Sequence, residues 1–175
     1  MSILEWLRAV RSTAPTDEGD TDTVRRIVHE LDQLAPQRAR YLAAFAYVLS
    51  RVAAADSQIS EEETTEMVDR IRQAGNLPIA QATLVVEIAK SQNRLFGGTE
   101  NFLVTREFRD IASDDERLDL LHCLFAVSAA DDAISSEEDA QIWQIASELG
   151  FSHPEFIKVR LNYSRKRTVV RPKNN

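Results

Sequence analysis

Apolar residues recur along this chain at the spacing of helix faces. Val24, Ile27, Val28, Leu31 and Leu34 follow the i, i+3, i+4, i+7 pattern of one amphipathic stripe, with Thr21 or Asp22 placed to cap it. Residues 37–55 have a different character. Tyr41, Leu42, Phe45, Tyr47, Val48, Leu49 and Val52 leave little polar face, and residues 114–130 repeat this with Leu118, Leu120, Leu121, Leu124, Phe125 and Val127. Helices apolar around most of their circumference belong in the middle of a fold. Amphipathic segments surround them, each with an inward set: Met67 and Ile71; Ile79, Ala82, Val85, Val86 and Ala89; Val104, Phe108, Ile111 and Ala112; Ile142, Ile145, Ala146 and Leu149; Phe156, Val159 and Tyr163. The β-branched runs are short and fit helical faces. An all-α helical bundle of about seven to nine helices is predicted.

Punctuation sets the boundaries. Pro36 and Pro78 suit first helical turns, Gly75 reads as a left-handed C-cap with Gly150 closing the later helix, and Gly97-Gly98 reads as a joint between halves. Residues 23–163 form the expected domain. Before it, residues 1–11 make a short amphipathic helix bearing Ile3, Leu4, Trp6, Leu7 and Val10, followed by a flexible linker over residues 12–22, STAPTDEGDTD. That first helix has two destinations: docking onto the domain, or binding a protein partner or membrane surface. Glu5 opposes Arg8 and Arg11, which favours protein over lipid.

The central observation is a repeat. Val52 to Glu63, VAAADSQISEEE, returns seventy-five positions later as Val127 to Glu138, VSAADDAISSEE, with eight of twelve positions identical. The register extends to Leu49/Leu124 and Gly75/Gly150 without a gap, defining repeat halves 37–75 and 112–150. Each copy reads as the end of one helix, a turn holding Ile59 or Ile134, and a Ser-x-x-Glu start to the next. Ser60 with Glu63, Ser135 with Glu138, and Ser113 with Glu116 have capping-box spacing. Two pseudo-symmetric helical hairpins follow.

The corner carboxylates admit two readings. Glu62, Glu63, Glu137 and Glu138 lie in first helical turns, where the positive end of the macrodipole favours anions whatever else they do. Asp56 and Asp131 follow helix C-termini, where an acid is disfavoured unless it makes a turn or meets a cation.

Composition narrows the functions. At 175 residues the chain suffices for one helical domain with a sizeable core. Net charge is −7, but five bases fall in residues 164–175, a basic tail read as disordered. The first 163 residues carry 16 bases against 28 acids, −12, a body that repels nucleic acid and attracts cations. Cys123 is the only cysteine, so neither an intrachain disulfide nor a thiolate cluster can form. No apolar run reaches bilayer length, since Arg51 and His122 interrupt the best candidates. The start lacks the features of a secretory signal, so a cytoplasmic setting is expected. His29, His122 and His153 are scattered and no catalytic constellation assembles, so no enzyme is expected.

Leu124 to Glu138, LFAVSAADDAISSEE, resembles the A-A-D-G-x-I-S-x-x-E signature of the TerB-like domain, known from tellurite-resistance proteins and a membrane-anchored DnaJ-like co-chaperone. The resemblance covers roughly residues 37–163. It implies an all-helical, two-half domain whose acidic turn residues bind divalent metal: here Asp56, Glu62 and Glu63, with Asp131, Glu137 and Glu138. Ser57 and Asp132 stand where the family usually has Gly, and Asp132 joins the candidate set. Oxygen ligands suit Ca²⁺, Mg²⁺ or Mn²⁺ rather than Zn²⁺. Two functions are therefore expected: a non-enzymatic, metal-responsive scaffold or sensor in a tellurite or stress response, with a protein partner and peripheral association with the inner membrane face; or an interaction scaffold whose acids are helix caps without metal.

Overall fold

Tyr41 through Ser50 are buried at every position, so the helix that carries them is enclosed on all sides. In the computed structural model of the chain the described residues are 18–53, 61–95, 101–129 and 134–163. Among them are eight helices and no strand: α1 (Glu18–Asp32), α2 (Pro36–Ala53), α3 (Glu61–Ala74), α4 (Ile79–Leu95), α5 (Asn101–Ile111), α6 (Asp114–Ser128), α7 (Ser136–Glu148) and α8 (His153–Leu161). The expected N-terminal helix with Ile3, Leu4, Trp6 and Leu7, the Gly97-Gly98 joint and the basic tail lie outside the described residues, as do Asp56, Asp131 and Asp132. The linker expected over residues 12–22 ends sooner. Glu18–Asp22 belongs to α1, where Asp22 accepts a hydrogen bond from Arg25 at 3.1 Å, an i, i+3 pair that supports the first turns instead of ending a linker.

The enclosed helix is α2, and α1, α4, α5, α6 and α7 pack around it. α3 lies on α4 and α6, while α8 covers α6 and α7. The core is continuous through both halves. Tyr41, Phe45 and Phe108 meet with ring centroids 5.4–6.0 Å apart, joining α2 to α5. Phe125 meets Phe156 at 5.5 Å, and Tyr163 stacks on Phe125 at 5.5 Å, holding the end of α8 against α6.

Side-chain pairs fix the directions. Arg38 near the start of α2 donates to Gln81 near the start of α4 at 3.0 Å, so these helices run parallel. Only residues 33–35 separate α1 from α2, so α1 folds back against α2 and hence runs antiparallel to α4, with Arg26 reaching Glu87 at 2.8 Å. Arg40 pairs with Glu107 at 2.6 Å and Arg51 with Thr105 at 2.6 Å, so α5 runs against α2. Lys90, late in α4, donates to Thr64 in the first turn of α3 at 2.8 Å. Arg38 also pairs with Glu116 at 3.6 Å, so α6 starts beside α2, and Arg117 donates to Leu149 C=O at 3.0 Å, so α7 returns along α6. The starts of α1, α3, α5 and α7 therefore gather with the ends of α2, α4 and α6 at one end of the molecule, the corner end.

The repeat is visible in helix boundaries, since α3 and α7 begin at Glu61 and Ser136, the same seventy-five residues apart. Their closures differ. Gly150 has φ +94 and forms the left-handed cap, with Phe151 N–H donating to Ala146 C=O at 2.9 Å. In the first copy the left-handed residue is Asn76, with φ 50, and Leu77 N–H donates to Arg72 C=O at 3.2 Å. The reading of Gly75 as a left-handed cap is thus corrected: α3 closes one residue later than α7. Gly75 is needed for space, because a Cβ there would sit 2.8 Å from Ile71 C=O, 2.9 Å from Cys123 Sγ and 3.3 Å from Phe45.

Candidate metal site at the acidic corners

Each hairpin has its corner at the corner end, between α2 and α3 in the first copy and between α6 and α7 in the second. Cross-copy hydrogen bonds join the last turns of α2 and α6 to the second helix of the other copy. Gln141 of α7 donates its amide to Arg51 C=O in the last turn of α2, and Arg70 of α3 donates to Ala126 C=O in the last turn of α6 at 3.5 Å. Positions 51 and 126 are equivalent in the repeat. In both cases a carbonyl in the last turn of one copy's first helix accepts from the other copy's second helix. Gln141 lies five residues into α7, about 7.5 Å along its axis. The last turn of α2 is therefore only about one and a half turns from the start of α7.

The described carboxylates differ in how much capacity they retain. Glu138 is committed to helix capping. Its carboxylate accepts from Ser135 N–H at 2.8 Å while its own N–H donates to Ser135 Oγ at 3.1 Å. Glu62 and Glu137 are exposed in first turns, and Glu63 is exposed and engaged in an interaction of its own. Asp139, which sequence reasoning did not single out, accepts from Arg160 Nε at 2.6 Å and binds the end of α8 to the start of α7. Ile134 packs on the core beside the corner, as its place inside the turn predicts.

Among the described residues no group of three or more His, Cys, Asp or Glu side chains could hold a metal ion. A site here would be completed by Asp56, Asp131 and Asp132. One feature of the described corner fits an oxygen-rich site: Ser128, at the end of α6 and three residues before Asp131, has a buried hydroxyl with no hydrogen-bond partner. Two of the imidazoles and the thiol have contacts of their own. His122 Nδ1 lies 3.1 Å from Tyr163 OH, and burial pushes the His122 pKa down against the opposing charge of Asp119. His153 packs edge-on against Trp143 at 4.8 Å. Cys123 is buried, donates to Ile71 C=O at 3.7 Å, and has its thiol pKa raised chiefly by burial. The donor set suits a hard cation.

Behind the corner lies an ion pair that the sequence did not announce. Arg51 and Glu148, with side chains 5% and 10% exposed, meet at 2.5 Å, and Thr105 of α5 accepts from the same guanidinium. Burial works to raise the Glu148 pKa, but the hydrogen bond and charge of Arg51, with help from Gln144 and Thr105, hold it below the ordinary carboxylate value. An arginine in a helix apolar all round was the available signal, since a buried charge needs a partner.

An enclosed central helix, a duplicated hairpin and hydrogen bonds between the two copies define a two-half α-helical domain, with no strand among the described residues. Residues 41–161 match the family model described as Tellurite resistance protein TerB, and the chain belongs to the TerB family. The match spans both hairpins and the helices between and after them, and leaves out α1. No curated protein and no solved structure shows significant similarity to the chain.

Proposed function

We propose that this TerB-family domain is a non-enzymatic helical module that takes a divalent hard cation at the corner end and serves as a scaffold or sensor in a tellurite or other stress response. The observation that supports the reading is the pair of cross-copy hydrogen bonds at Arg51 C=O and Ala126 C=O, which joins the last turns of α2 and α6 to the second helix of the other copy. Clustered carboxylates raise one another's pKa unless a cation screens them, so converging acids suit Ca²⁺, Mg²⁺ or Mn²⁺. The ligands proposed are Asp56, Asp131 and Asp132 with Glu62, Glu63 and Glu137. Glu138 offers at most the capacity that its capping bond leaves free. No described helix is long and apolar enough to cross a membrane, and a cytoplasmic site of action at the inner membrane face, with a protein partner, is part of the proposal.

Isothermal calorimetry with each of the three ions at millimolar concentration tests it. The unaltered chain should bind at least one ion, and Asp131→Ala should abolish the response. No heat with any ion would remove the metal from the proposal. The Ser135–Glu138 capping box favours a second reading, in which the corner acids only cap helices. On that reading Asp131→Ala lowers thermal stability in the absence of ions and leaves partner capture unchanged.

A further inference from the structure

Phe102 and Leu103 are adjacent in the first turn of α5 and are 55% and 61% exposed. Single exposed apolar residues are ordinary, but two large neighbours at a helix start form a patch that needs an explanation. α5 turns Val104 and Phe108 inward to α2, so the patch is not a by-product of loose packing. Arg106, one turn further along the same side, is also exposed.

We propose that the patch is the docking site of this chain's own N-terminal segment, with Ile3, Leu4, Trp6 and Leu7 covering Phe102 and Leu103. The inference does not depend on the metal reading. Chain path is the first argument. α1 is antiparallel to α4 and registered by Arg26–Glu87. Glu18 lies eight residues before Arg26, which brings it level with Leu95, eight residues beyond Glu87. The chain therefore enters α1 at the corner end, where α5 also begins. α1 and α5 both pack on α2, so their axes are at most about 20 Å apart at interaxial distances of 8–10 Å. Residues 12–17 extended span about 20 Å, enough to bring the preceding segment across.

Chemistry is the second argument. Ile3, Leu4 and Leu7 recur at i, i+1, i+4, giving the segment an apolar side to match the patch. Glu5, its only acid between Ser2 and Val10, has a cation to meet in Arg106. A free segment of this composition would expose an indole and several aliphatic groups to water, and tethering makes the nearby patch the preferred cover through its high effective concentration.

The two tryptophans, Trp6 and Trp143, allow a test on the full chain. With 5-fluorotryptophan incorporated and Trp6→Phe used for assignment, ¹⁹F NMR should give a Trp6 signal displaced from the free value. Phe102→Asp and, separately, Leu103→Asp should return it to the free value without moving the Trp143 signal. A Trp6 signal at the free value in the unaltered chain overturns the proposal, as does one that neither substitution moves. Displacement that vanishes on dilution would assign the segment to a second copy, and displacement only with anionic phosphatidylserine vesicles would assign it to a lipid surface. Either result overturns docking in cis.

Discussion

Arg51→Ala should destabilise the domain by about 3–5 kcal/mol, the usual consequence of stranding one member of a buried ion pair, measured as a loss of unfolding free energy in urea. Truncation leaves Glu148 nearly enclosed without its cation and removes the link from α2 to Thr105 on α5. The pair itself adds less than that figure suggests, since burying two charges is costly and Arg51 Nε has no acceptor. Arg51→Met with Glu148→Leu should therefore recover most of the loss. The two proteins should also respond differently to acid. Glu148 has a folded pKa below its unfolded value, so its contribution is fully present above the ordinary carboxylate range and is lost as pH falls through the lowered folded value. The unaltered domain should lose stability over that acid interval, and the Met/Leu variant should lose less.

Gly75→Ala should be the second severe substitution, at about 1–3 kcal/mol from overpacking. The added methyl meets a backbone carbonyl and a fully buried thiol, and only the thiol can be moved by a second change. Cys123→Ala in the Gly75→Ala background should therefore recover part of the lost stability and no more, because the 2.8 Å approach to Ile71 C=O remains. Gly150→Ala makes the contrast. Its nearest neighbours would be 3.5 Å and 3.8 Å away, so space is adequate and the cost is that of forcing alanine to φ +94. Chemical denaturation of the three variants separates crowding from backbone strain.

These two glycines show what the sequence could and could not convey. The repeat placed them in register, but one answers a need for space and the other a backbone angle, a distinction that depends on Cys123 and Phe45 crossing from other helices. Helices and core were legible because burial imposes a period: Ile27, Val28 and Leu31, the unbroken apolar character of α2, and Ile142, Ile145 and Ala146 all face inward as their spacing requires. Capping was legible at Ser113 and Ser135 because it is local. The crossing of the hairpins was not, since no local rule says that α3 packs on α6 and α7 on α2. Nothing local consequently marked Arg70, Gln141 or Asp139, although each joins separate helices. Arg51 looked like an interruption in an apolar helix and is instead one half of a buried pair. Of the candidate site, the repeat supplied the residues, while the convergence proposed for them is argued from those same cross-copy bonds.

Titration of Mn²⁺ into ¹⁵N-labelled protein tests that convergence directly, because paramagnetic broadening reports nearness to the ion residue by residue. Asp114, Asp115 and Glu116 provide an internal control, three acids in the first turn of α6 at the opposite end of the domain. The amides of Glu62, Glu63, Glu137 and Glu138 should lose intensity together, at one metal ratio, while those of the three control acids persist. Broadening of only one corner, or equal broadening at both ends of α6, would contradict a shared cation site.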